Sequence, residues 1–418
     1  MSLIKNSIWN FAGYIVPALI TIPALGILGR VLGAEMFGVF TLALAIVGYA
    51  SVFDVGLTRA VIREISIYRD EYEEKKNITS TSTFVVLILS VIAGGILFIS
   101  SNTVTHLLKI SPALSSHVVS SLKILALSIP LFLVTQIWLA IIEGEEKFGI
   151  LNIYKSFTGS LISLLPALFI LIKPQLEYAV AGLVISRLIS LIAAFYLCRD
   201  IIIESGLRFN KATTRRLLFF GGWITVSNII SPVMAYFDRF IVSNQLGASV
   251  VAFYTAPSEI IARLGIIPGA FARAIFPRLS SSSNKEDRKK NKRIIKLLIA
   301  VIILPILVVG NLASSEIMSI WMGPEFAGTS AKVLGILLIG FAFNSLAQIP
   351  FSSIQARGYS NITAMIHLLE LIPYLIALFY LINHYGVIGA AITWTVRMVI
   401  DYLVLEYCDS KIENRKLT

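Results

Sequence analysis

Long apolar stretches alternate with short polar connectors along the whole chain. A helix needs about 20 predominantly apolar residues to cross the hydrocarbon core of a bilayer, and the apolar stretches are of this length. The pattern predicts about twelve spans, at 8–29, 37–58, 81–101, 118–142, 150–172, 177–198, 219–244, 250–277, 294–312, 330–354, 361–382 and 385–407. We therefore expect an all-α integral membrane protein.

The composition supports this reading. Of the 418 residues, 56% are hydrophobic and 14% are charged, whereas a soluble domain has about 25% charged residues. The first apolar stretch is too long for the hydrophobic region of a signal peptide and lacks a clear small-x-small cleavage site, so we expect it to be retained as the first span.

Basic residues are distributed asymmetrically among the connectors. They concentrate after spans two, six and eight and in the C-terminal tail, and the connector at 278–296 alone holds eight of them. The connectors of the opposite side carry only Arg30, Lys109, Lys173 and Lys332. The positive-inside rule therefore predicts that both termini are cytoplasmic.

The chain repeats itself at about half its length. The stretch LGAEMFGVFT at 32–41 recurs as LGASVVAFYT at 246–255, and in the same register Trp9 matches Trp223. An internal repeat of this kind indicates two copies of one structural unit. Because the first of these stretches lies between two apolar runs, it predicts the connector of a helical hairpin.

The repeat extends through both halves of the chain. Gln136 in span four matches Gln348 in span ten, and YAVAG before span six matches YGVIG before span twelve. Six spans return the chain to the same side, so the halves are expected to form a parallel repeat. We predict an N-terminal lobe at 1–205, a cytoplasmic linker at 206–216 and a C-terminal lobe at 217–418.

The sequence contains no enzyme motif. There is no phosphate-binding glycine loop, no HExxH, no GxSxG and no Cys/His spacing typical of a metal site. The residues therefore predict neither catalysis nor a bound metal or cofactor. The basic clusters alternate with spans, which argues against nucleic acid as a partner; they either set the topology alone or also attract anionic membrane lipids.

Ionisable residues inside spans are the most informative. Each costs at least about 2.5–3.5 kcal/mol at mid-membrane, so it normally faces a partner or a polar cavity. These residues are Asp54, Arg59, Lys155, Arg187, Asp238, Arg239, Glu259, Arg263, Arg273, His367, Glu370, Arg397 and Asp401.

Two of these pairs are spaced for mutual neutralisation within one helix. Glu259 and Arg263 are four residues apart, as are Arg397 and Asp401, and side chains at this spacing meet on one helix face. A purely structural role therefore competes with a functional one at all four positions.

Four basic residues lack such a partner. Arg59 and Arg273 occupy equivalent repeat positions, where they either reach the lipid headgroups or form a basic pair at the inner mouth of a cleft. Lys155 and Arg187 have no carboxylate one turn away, which favours a cavity or an anionic ligand. Arginine can hold a phosphate through two parallel hydrogen bonds, so a diphosphate headgroup would suit these groups.

Three segments carry a resemblance to a known family. The stretches LGAEMFGVFTLA, SVFDVGLTRAVIREIS and FDRFIVSNQLGASVVAFYTAPSEI resemble the polysaccharide flippases of the multidrug/oligosaccharidyl-lipid/polysaccharide exporter superfamily. The resemblance covers nearly the whole chain. It implies two six-helix bundles in a MATE-like V shape, with a central cleft and alternating access in the bacterial inner membrane.

The resemblance also implies a substrate and a set of cleft residues. The cargo would be an undecaprenyl-diphosphate-linked oligosaccharide such as an O-antigen unit, and a polysaccharide polymerase and a chain-length regulator would be partners. Coupling to H⁺ or Na⁺ would be possible. Together with the two unpaired cations above, the substrate-binding candidates are Arg59, Lys155, Arg187, Arg239, Arg263 and Arg273. The ion-coupling candidates are Asp54, Asp238, Glu259 and Asp401.

Two alternatives stay open at this point. The first is a cation-coupled multidrug exporter of the same fold, although the first span has no acidic residue to meet a cationic drug. The second is a membrane-bound glycosyltransferase or polymerase, which would need a sizeable extramembrane loop with carboxylates, and the connectors here are short.

Overall fold

The structure, a computed structural model, describes residues 3–272 and 285–414. Within these ranges it describes the backbone alone at 3–15, 222–233, 235, 285, 360 and 414. The described chain is almost entirely helical and contains no strand, which confirms the all-α prediction.

The helices follow one another with short connectors. They are α1 (Leu3–Tyr49), α2 (Leu57–Ile67), α3 (Tyr72–Leu107), α4 (Ser115–Ala126), α5 (Ser128–Gly144), α6 (Phe148–Ile172), α7 (Leu176–Ser205), α8 (Lys211–Leu246), α9 (Ala248–Leu264), α10 (Lys285–Leu312), α11 (Ser314–Met322), α12 (Thr329–Ala356) and α13 (Ser360–Asn414). Short 3₁₀ turns lie at Ala50–Asp54 and Pro324–Phe326.

Nine segments of the described residues are long and apolar enough to cross a membrane. Two of them, Val16–Asp54 and Asn361–Glu413, each cover two of the predicted spans, because a single helical run there contains an internal break. Predicted span seven corresponds to α8, part of which is described by its backbone alone. The structure therefore agrees with the predicted series of spans.

The internal breaks occur at glycines with positive φ. Gly33 breaks α1 at φ 71°, and Gly386 breaks α13 at φ 60°. Gly247 separates α8 from α9 at φ 93°. Because residues with a Cβ rarely adopt such φ values, glycine lets the chain reverse there within one residue. Gly33 and Gly247 are the same residue of the two LGA copies, so both repeats turn in the same way.

The end of the second predicted span was placed wrongly. The helix ends at Tyr49, and after the 3₁₀ turn the chain enters α2, an 11-residue amphipathic helix. Its buried face packs on α5 and includes Val61 and Ile65, whereas Arg59 and Arg63 lie on its exposed face. The sequence pattern did not separate this helix because apolar residues continue through the turn.

Ion pairs connect α2 to α3 and α8. The buried carboxylate of Glu64 lies 2.8 Å from Arg63 and 2.6 Å from Arg216, and Arg216 also lies 2.9 Å from Glu74. Burial alone would lower the pKa of Arg216, but its hydrogen bond to Glu74 and the charge of Glu64 raise that pKa above its ordinary value.

The connector between α5 and α6 is held by lysines. Glu145 lies 2.5 Å from Lys75 and 2.6 Å from Lys147. Burial alone would raise the pKa of Glu145, but hydrogen bonds from Lys147 and Lys75 lower it below its ordinary value. This network joins the start of α3 to the end of α5.

The second half of the chain also contains a network of ion pairs, and this network is buried. Lys292 of α10 lies 2.7 Å from both Asp409 and Glu413 at the end of α13, and Arg357, just after α12, also pairs with Asp409. Each charge is compensated, which such burial requires. Three helix ends are therefore joined at one point.

The described chain forms two compact units. One comprises Met1–Phe240 with Gly247–Ser249, and the other comprises Ile241–Leu246 with Val250–Thr418. The division falls within α8 and not in the predicted linker at 206–216, since the first part of α8 contacts the N-terminal helices. The lobes at 1–205 and 217–418, which were defined by the repeat, stay a prediction.

A proline explains why predicted span four is divided into α4 and α5. Pro130 has no N–H to donate to the carbonyl of Ala126, four residues earlier, so the helical bond there cannot form. Gly94 of α3 packs against that carbonyl: a Cβ at this position would lie 2.9 Å from the Ala126 oxygen. The adjacent Gly95 has open space around it.

These neighbours provide a matched test of helix packing. Gly94→Ala should destabilise the protein by about 1–3 kcal/mol, since the added methyl group collides with backbone. Gly95→Ala should stabilise it by about 0.5–1 kcal/mol through helix propensity alone. The measurement is thermal unfolding of both purified variants in one detergent, and shifts of the same sign would contradict the close approach of α3 to the α4–α5 junction.

Candidate functional site

A cavity of about 200 Å³ lies among α5, α6 and α7 of the first unit. Its lining contains two basic residues, Lys155 and Arg187, which the sequence had singled out for lacking a carboxylate one turn away. The other lining residues are Phe132, Thr135, Gln136, Leu139, Tyr154, Thr158, Gly159, Ile162 and Ser190. The structure thus brings both of these cations to one place.

Arg187 lies near the middle of the 30-residue helix α7. Its guanidinium group lies 4.5 Å from the centre of the Phe132 ring, and its Nε has no hydrogen-bond partner. Within the described ranges, no carboxylate forms an ion pair with it. An aromatic face offsets part of the cost of burying a cation, yet the hydrogen-bonding capacity of the guanidinium stays available.

Lys155 has a partner on the neighbouring helix. Its Nζ lies 3.7 Å from Oε2 of Glu143, the penultimate residue of α5, and both side chains are partly exposed. An ion pair at this distance and exposure contributes little to the stability of the protein. The ammonium group can therefore turn towards an anion in the cavity without a large loss.

The hydroxyl groups of the cavity are already committed as donors. Tyr154 donates to the carbonyl of Ser190 at 2.7 Å, and Ser190 in turn donates to Ser186 at 2.7 Å. Thr135 and Thr158 donate to carbonyls one turn earlier in their own helices. The groups left to donate to a ligand are the two cations and the side-chain amide of Gln136, so the cavity is suited to an anion.

The size of the cavity limits what it can hold. Sites for small molecules usually measure about 300–1,000 Å³, and this one is smaller. It can accommodate one compact anionic group, such as a phosphate, but not a whole sugar headgroup.

Asp54 and Arg59 do not lie together. Both carboxylate oxygens of Asp54 accept the backbone N–H of Thr58 at 3.1 Å, so the buried carboxylate satisfies a free donor at the start of α2. Arg59 lies on the exposed face of α2. This gives Asp54 a structural role that the sequence reading did not include.

Asp238 and Arg239 are both buried in α8. Oδ1 of Asp238 accepts the backbone N–H of Arg239 at 2.8 Å, and the guanidinium lies 5.4 Å from the centre of the Tyr236 ring. Tyr236 and Phe240 form edge contacts with Tyr49 of α1, with ring centres 6.4 and 5.6 Å apart. This pair lies in an aromatic environment away from the α5–α7 cavity.

Glu259 and Arg263 form the ion pair that their spacing indicated, at 3.2 Å on α9. Their roles in substrate binding and ion coupling stay predictions. Arg273, the predicted counterpart of Arg59, lies outside the described residues.

Arg397 and Asp401 have ion-pair partners beyond the one that their spacing suggested. Arg397 lies 3.5 Å from Glu370, and Asp401 lies 3.7 Å from His367. Both contacts cross the break at Gly386, which folds the second part of α13 back beside the first. The sequence showed all four residues, but their partners depend on how the two parts of α13 are rotated about their axes.

Comparison with known sequences shows the family. Residues 3–283 match the family model described as polysaccharide biosynthesis protein. The chain is 51% identical to the "Putative O-antigen transporter" of Shigella flexneri, over 97% of both chains. It is 25% identical to a Haloferax volcanii protein named "Probable low-salt glycan biosynthesis flippase Agl15", over 96% of this chain and 82% of that relative.

Solved structures show the fold. The lipid II flippase MurJ in an inward closed conformation superimposes with a TM-score of 0.79 at 16% identity, covering 97% of this chain and 87% of MurJ. An inward-facing multidrug resistance MATE transporter of the MOP superfamily superimposes with a TM-score of 0.76 at 14% identity, covering 97% of this chain and 98% of that transporter. The chain therefore belongs to the polysaccharide biosynthesis protein family, and it is a membrane transporter, not an enzyme, with the fold of the MOP superfamily.

Proposed function

We propose that this transporter is a flippase for an undecaprenyl-diphosphate-linked oligosaccharide, an O-antigen unit or a similar repeat unit. It would move this cargo from the cytoplasmic to the outer leaflet of the inner membrane. The observation that carries the proposal is Arg187, a cation within a helix bundle that has no carboxylate partner in the described chain. The 51% identity to a protein named as an O-antigen transporter supports the glycan cargo.

The chemistry of the cargo fits the cavity. The charge of a polyprenyl-linked sugar lies in its diphosphate, and arginine can bind a phosphate through two parallel hydrogen bonds. In this proposal Arg187 and Lys155 contact one phosphate group, which the cavity is large enough to admit. The sugars would lie outside the cavity and the polyprenyl chain would stay in lipid.

The position of Lys155 suits entry from the cytoplasm. It follows the first residue of α6 by seven residues, or about 10 Å along the helix axis. With both termini cytoplasmic, as the positive-inside rule predicts, α6 starts on the cytoplasmic side and Lys155 lies in the inner half of the membrane. Alternating access would then deliver the headgroup outward, where a polysaccharide polymerase and a chain-length regulator could use it.

The shared fold also allows a cation-coupled multidrug exporter. One of the structural neighbours is a multidrug transporter, but at this level of identity the likeness concerns the fold alone. A cavity lined by Lys155 and Arg187 would repel a cationic drug. The charge of the α5–α7 cavity therefore favours the anionic glycolipid.

Replacing Arg187 with methionine should separate binding from stability. Removing a buried charge without a carboxylate partner is neutral or stabilising when an apolar side chain of similar size replaces it. Arg187→Met should therefore unfold at the same or a higher temperature than the wild type. It should also lose the thermal stabilisation that inorganic pyrophosphate gives the purified wild-type protein.

Arg199→Ala is the matched control, because Arg199 lies on the same helix and pairs with the exposed Asp200. This variant should keep the full stabilisation by pyrophosphate. Equal stabilisation of Arg187→Met and wild type would remove Arg187 from anion binding.

The function itself is tested in the host. Deleting the gene should cause lipid-linked repeat units to accumulate and surface polysaccharide to decrease, because units left in the cytoplasmic leaflet cannot be assembled outside. Wild type and Arg199→Ala should restore the polysaccharide, and Arg187→Met should not. The measurements are mass spectrometry of extracted lipid-linked sugars and electrophoresis of surface polysaccharide.

Unchanged surface polysaccharide together with raised drug sensitivity in the deletion strain would reject the flippase and favour the exporter. Full restoration by Arg187→Met at normal protein level would reject the proposed role of the cavity alone.

A further inference from the structure

Three exposed basic residues lie in the first turns of α10, beside the buried ion pairs of the second unit. They are Lys289, Lys290 and Arg293, and we call them the α10 basic strip. None of the three side chains has an ion-pair or hydrogen-bond partner among the described residues. Neither the relatives' names nor the family description assigns the strip a role.

Two other lysines of the same helix are compensated by α13. Lys292 lies 2.7 Å from both Asp409 and Glu413, and Lys296 lies 2.6 Å from Glu406. Helix α10 therefore carries two sets of cations. One set faces carboxylates of the protein, and the other set, the α10 basic strip, faces outward.

The outward face of α10 continues as apolar side chains. Leu297, Val301 and Leu304 follow Arg293 at spacings of three or four residues, which keeps all of them on one face of the helix. The three apolar side chains are 64%, 61% and 60% exposed. Among the nine described segments that could cross a membrane, α10 has the smallest buried share. This face is therefore open to the lipid of the membrane.

The α10 basic strip lies at the depth of the lipid headgroups. The apolar run of predicted span nine begins at 294, directly after Arg293. At 1.5 Å per residue, Lys290 and Lys289 lie about 6–8 Å further from the hydrocarbon. The headgroup layer on each side of a bilayer is about 5–8 Å thick. All three cations can thus meet a headgroup while the next turns of α10 contact acyl chains.

The charge of the strip fits an anionic phospholipid. With both termini cytoplasmic, as the positive-inside rule predicts, α10 starts on the cytoplasmic side. The cytoplasmic leaflet has a negative surface potential, which attracts basic clusters next to a span. Two carboxylates of the same helix, Glu286 and Asp287, lie further from the bilayer than all three cations. The strip therefore presents its positive charge on the side of the headgroups.

We propose that the α10 basic strip binds the headgroup of an anionic phospholipid of the cytoplasmic leaflet. The phosphate diester of the lipid accepts hydrogen bonds from Arg293 and from the neighbouring lysines. One acyl chain lies along the exposed apolar side chains that follow. This binding goes beyond the proposed function and does not depend on it.

Both parts of this face are needed to identify the ligand. A free phosphate would contact the cations alone, and a soluble acidic protein segment would also reach only the cations. A phospholipid contacts the cations with its headgroup and covers Leu297 and Leu304 with its acyl chain. The lipid therefore matches the whole face, whereas the other two ligands match half of it.

Native mass spectrometry of the detergent-purified full chain tests the site by counting bound lipids. Titrated with phosphatidylglycerol, the wild type should retain a tightly bound lipid, and phosphatidylcholine should bind weakly. The variant Lys289→Gln/Lys290→Gln/Arg293→Gln should bind phosphatidylglycerol more weakly by on the order of a hundredfold. This loss follows from about fivefold for each cation near an anionic surface.

The matched control removes three exposed cations from the connector between α7 and α8 and the helix ends beside it. It is Arg199→Gln/Lys211→Gln/Arg215→Gln, which changes the net charge by the same amount. This variant should keep the wild-type affinity for phosphatidylglycerol. Equal affinities of the wild type and the strip variant, or an equal loss in both triple variants, would overturn the proposal. Equal binding of phosphatidylcholine and phosphatidylglycerol by the wild type would also overturn it.

Smaller substitutions keep the test decisive if the triple variant fails to fold. Thermal unfolding in the same detergent identifies such a failure. The single variants Lys290→Gln and Arg293→Gln, each with an expected loss of about fivefold, then carry the comparison. Unchanged affinity in both folded single variants would overturn the proposal.

Competition with inorganic phosphate distinguishes a lipid from a free anion. Millimolar phosphate at constant ionic strength should leave phosphatidylglycerol bound, and its displacement would overturn the assignment to a lipid. The result is independent of the cargo: normal lipid binding with no glycan phenotype on gene deletion would reject the flippase alone. Absent lipid binding with a clear glycan phenotype would reject the lipid site alone.

Discussion

A charge inside a bilayer must find a partner, and this requirement organises the polar residues of this protein. Glu259 and Arg263 neutralise each other along one helix, and Asp54 accepts a free N–H at the start of α2. Arg187 is different, because its contact in the described chain is an aromatic ring and not a carboxylate. We propose that the protein keeps this cation in its membrane region in order to bind an anion there.

Residues close in sequence were the predictable part of this arrangement. The apolar stretches gave the helices, the LGA copies gave the turns at Gly33 and Gly247, and four-residue spacing gave the Glu259–Arg263 pair. The pairs across α13 were not predictable, because a one-residue difference in helix rotation would exchange their partners. The helix α2 was also missed, because apolar residues continue from span two through the turn, where Asp54 is the one charged residue.

The repeat explains why two different sites occupy similar places. Both halves turn at equivalent glycines and place polar residues between their fifth and sixth spans. The first half presents Lys155 and Arg187 around a small cavity, whereas the second combines a histidine and an arginine with two carboxyls. A duplicated scaffold can thus present different side chains in its two copies without changing the backbone that positions them. In our account, the site of the first half receives the anionic headgroup.

The central claim is that this chain alone moves an anionic glycolipid across a membrane, and reconstitution tests it most directly. Purified protein in liposomes would be supplied with a labelled polyprenyl-diphosphate-linked sugar, and an impermeant sugar-modifying enzyme would report which leaflet the label occupies. We predict that the wild-type protein speeds exchange between leaflets well above protein-free liposomes, and that Arg187→Met abolishes this gain. Exchange at the protein-free rate with folded wild-type protein, or equal exchange in both proteins, would contradict the account.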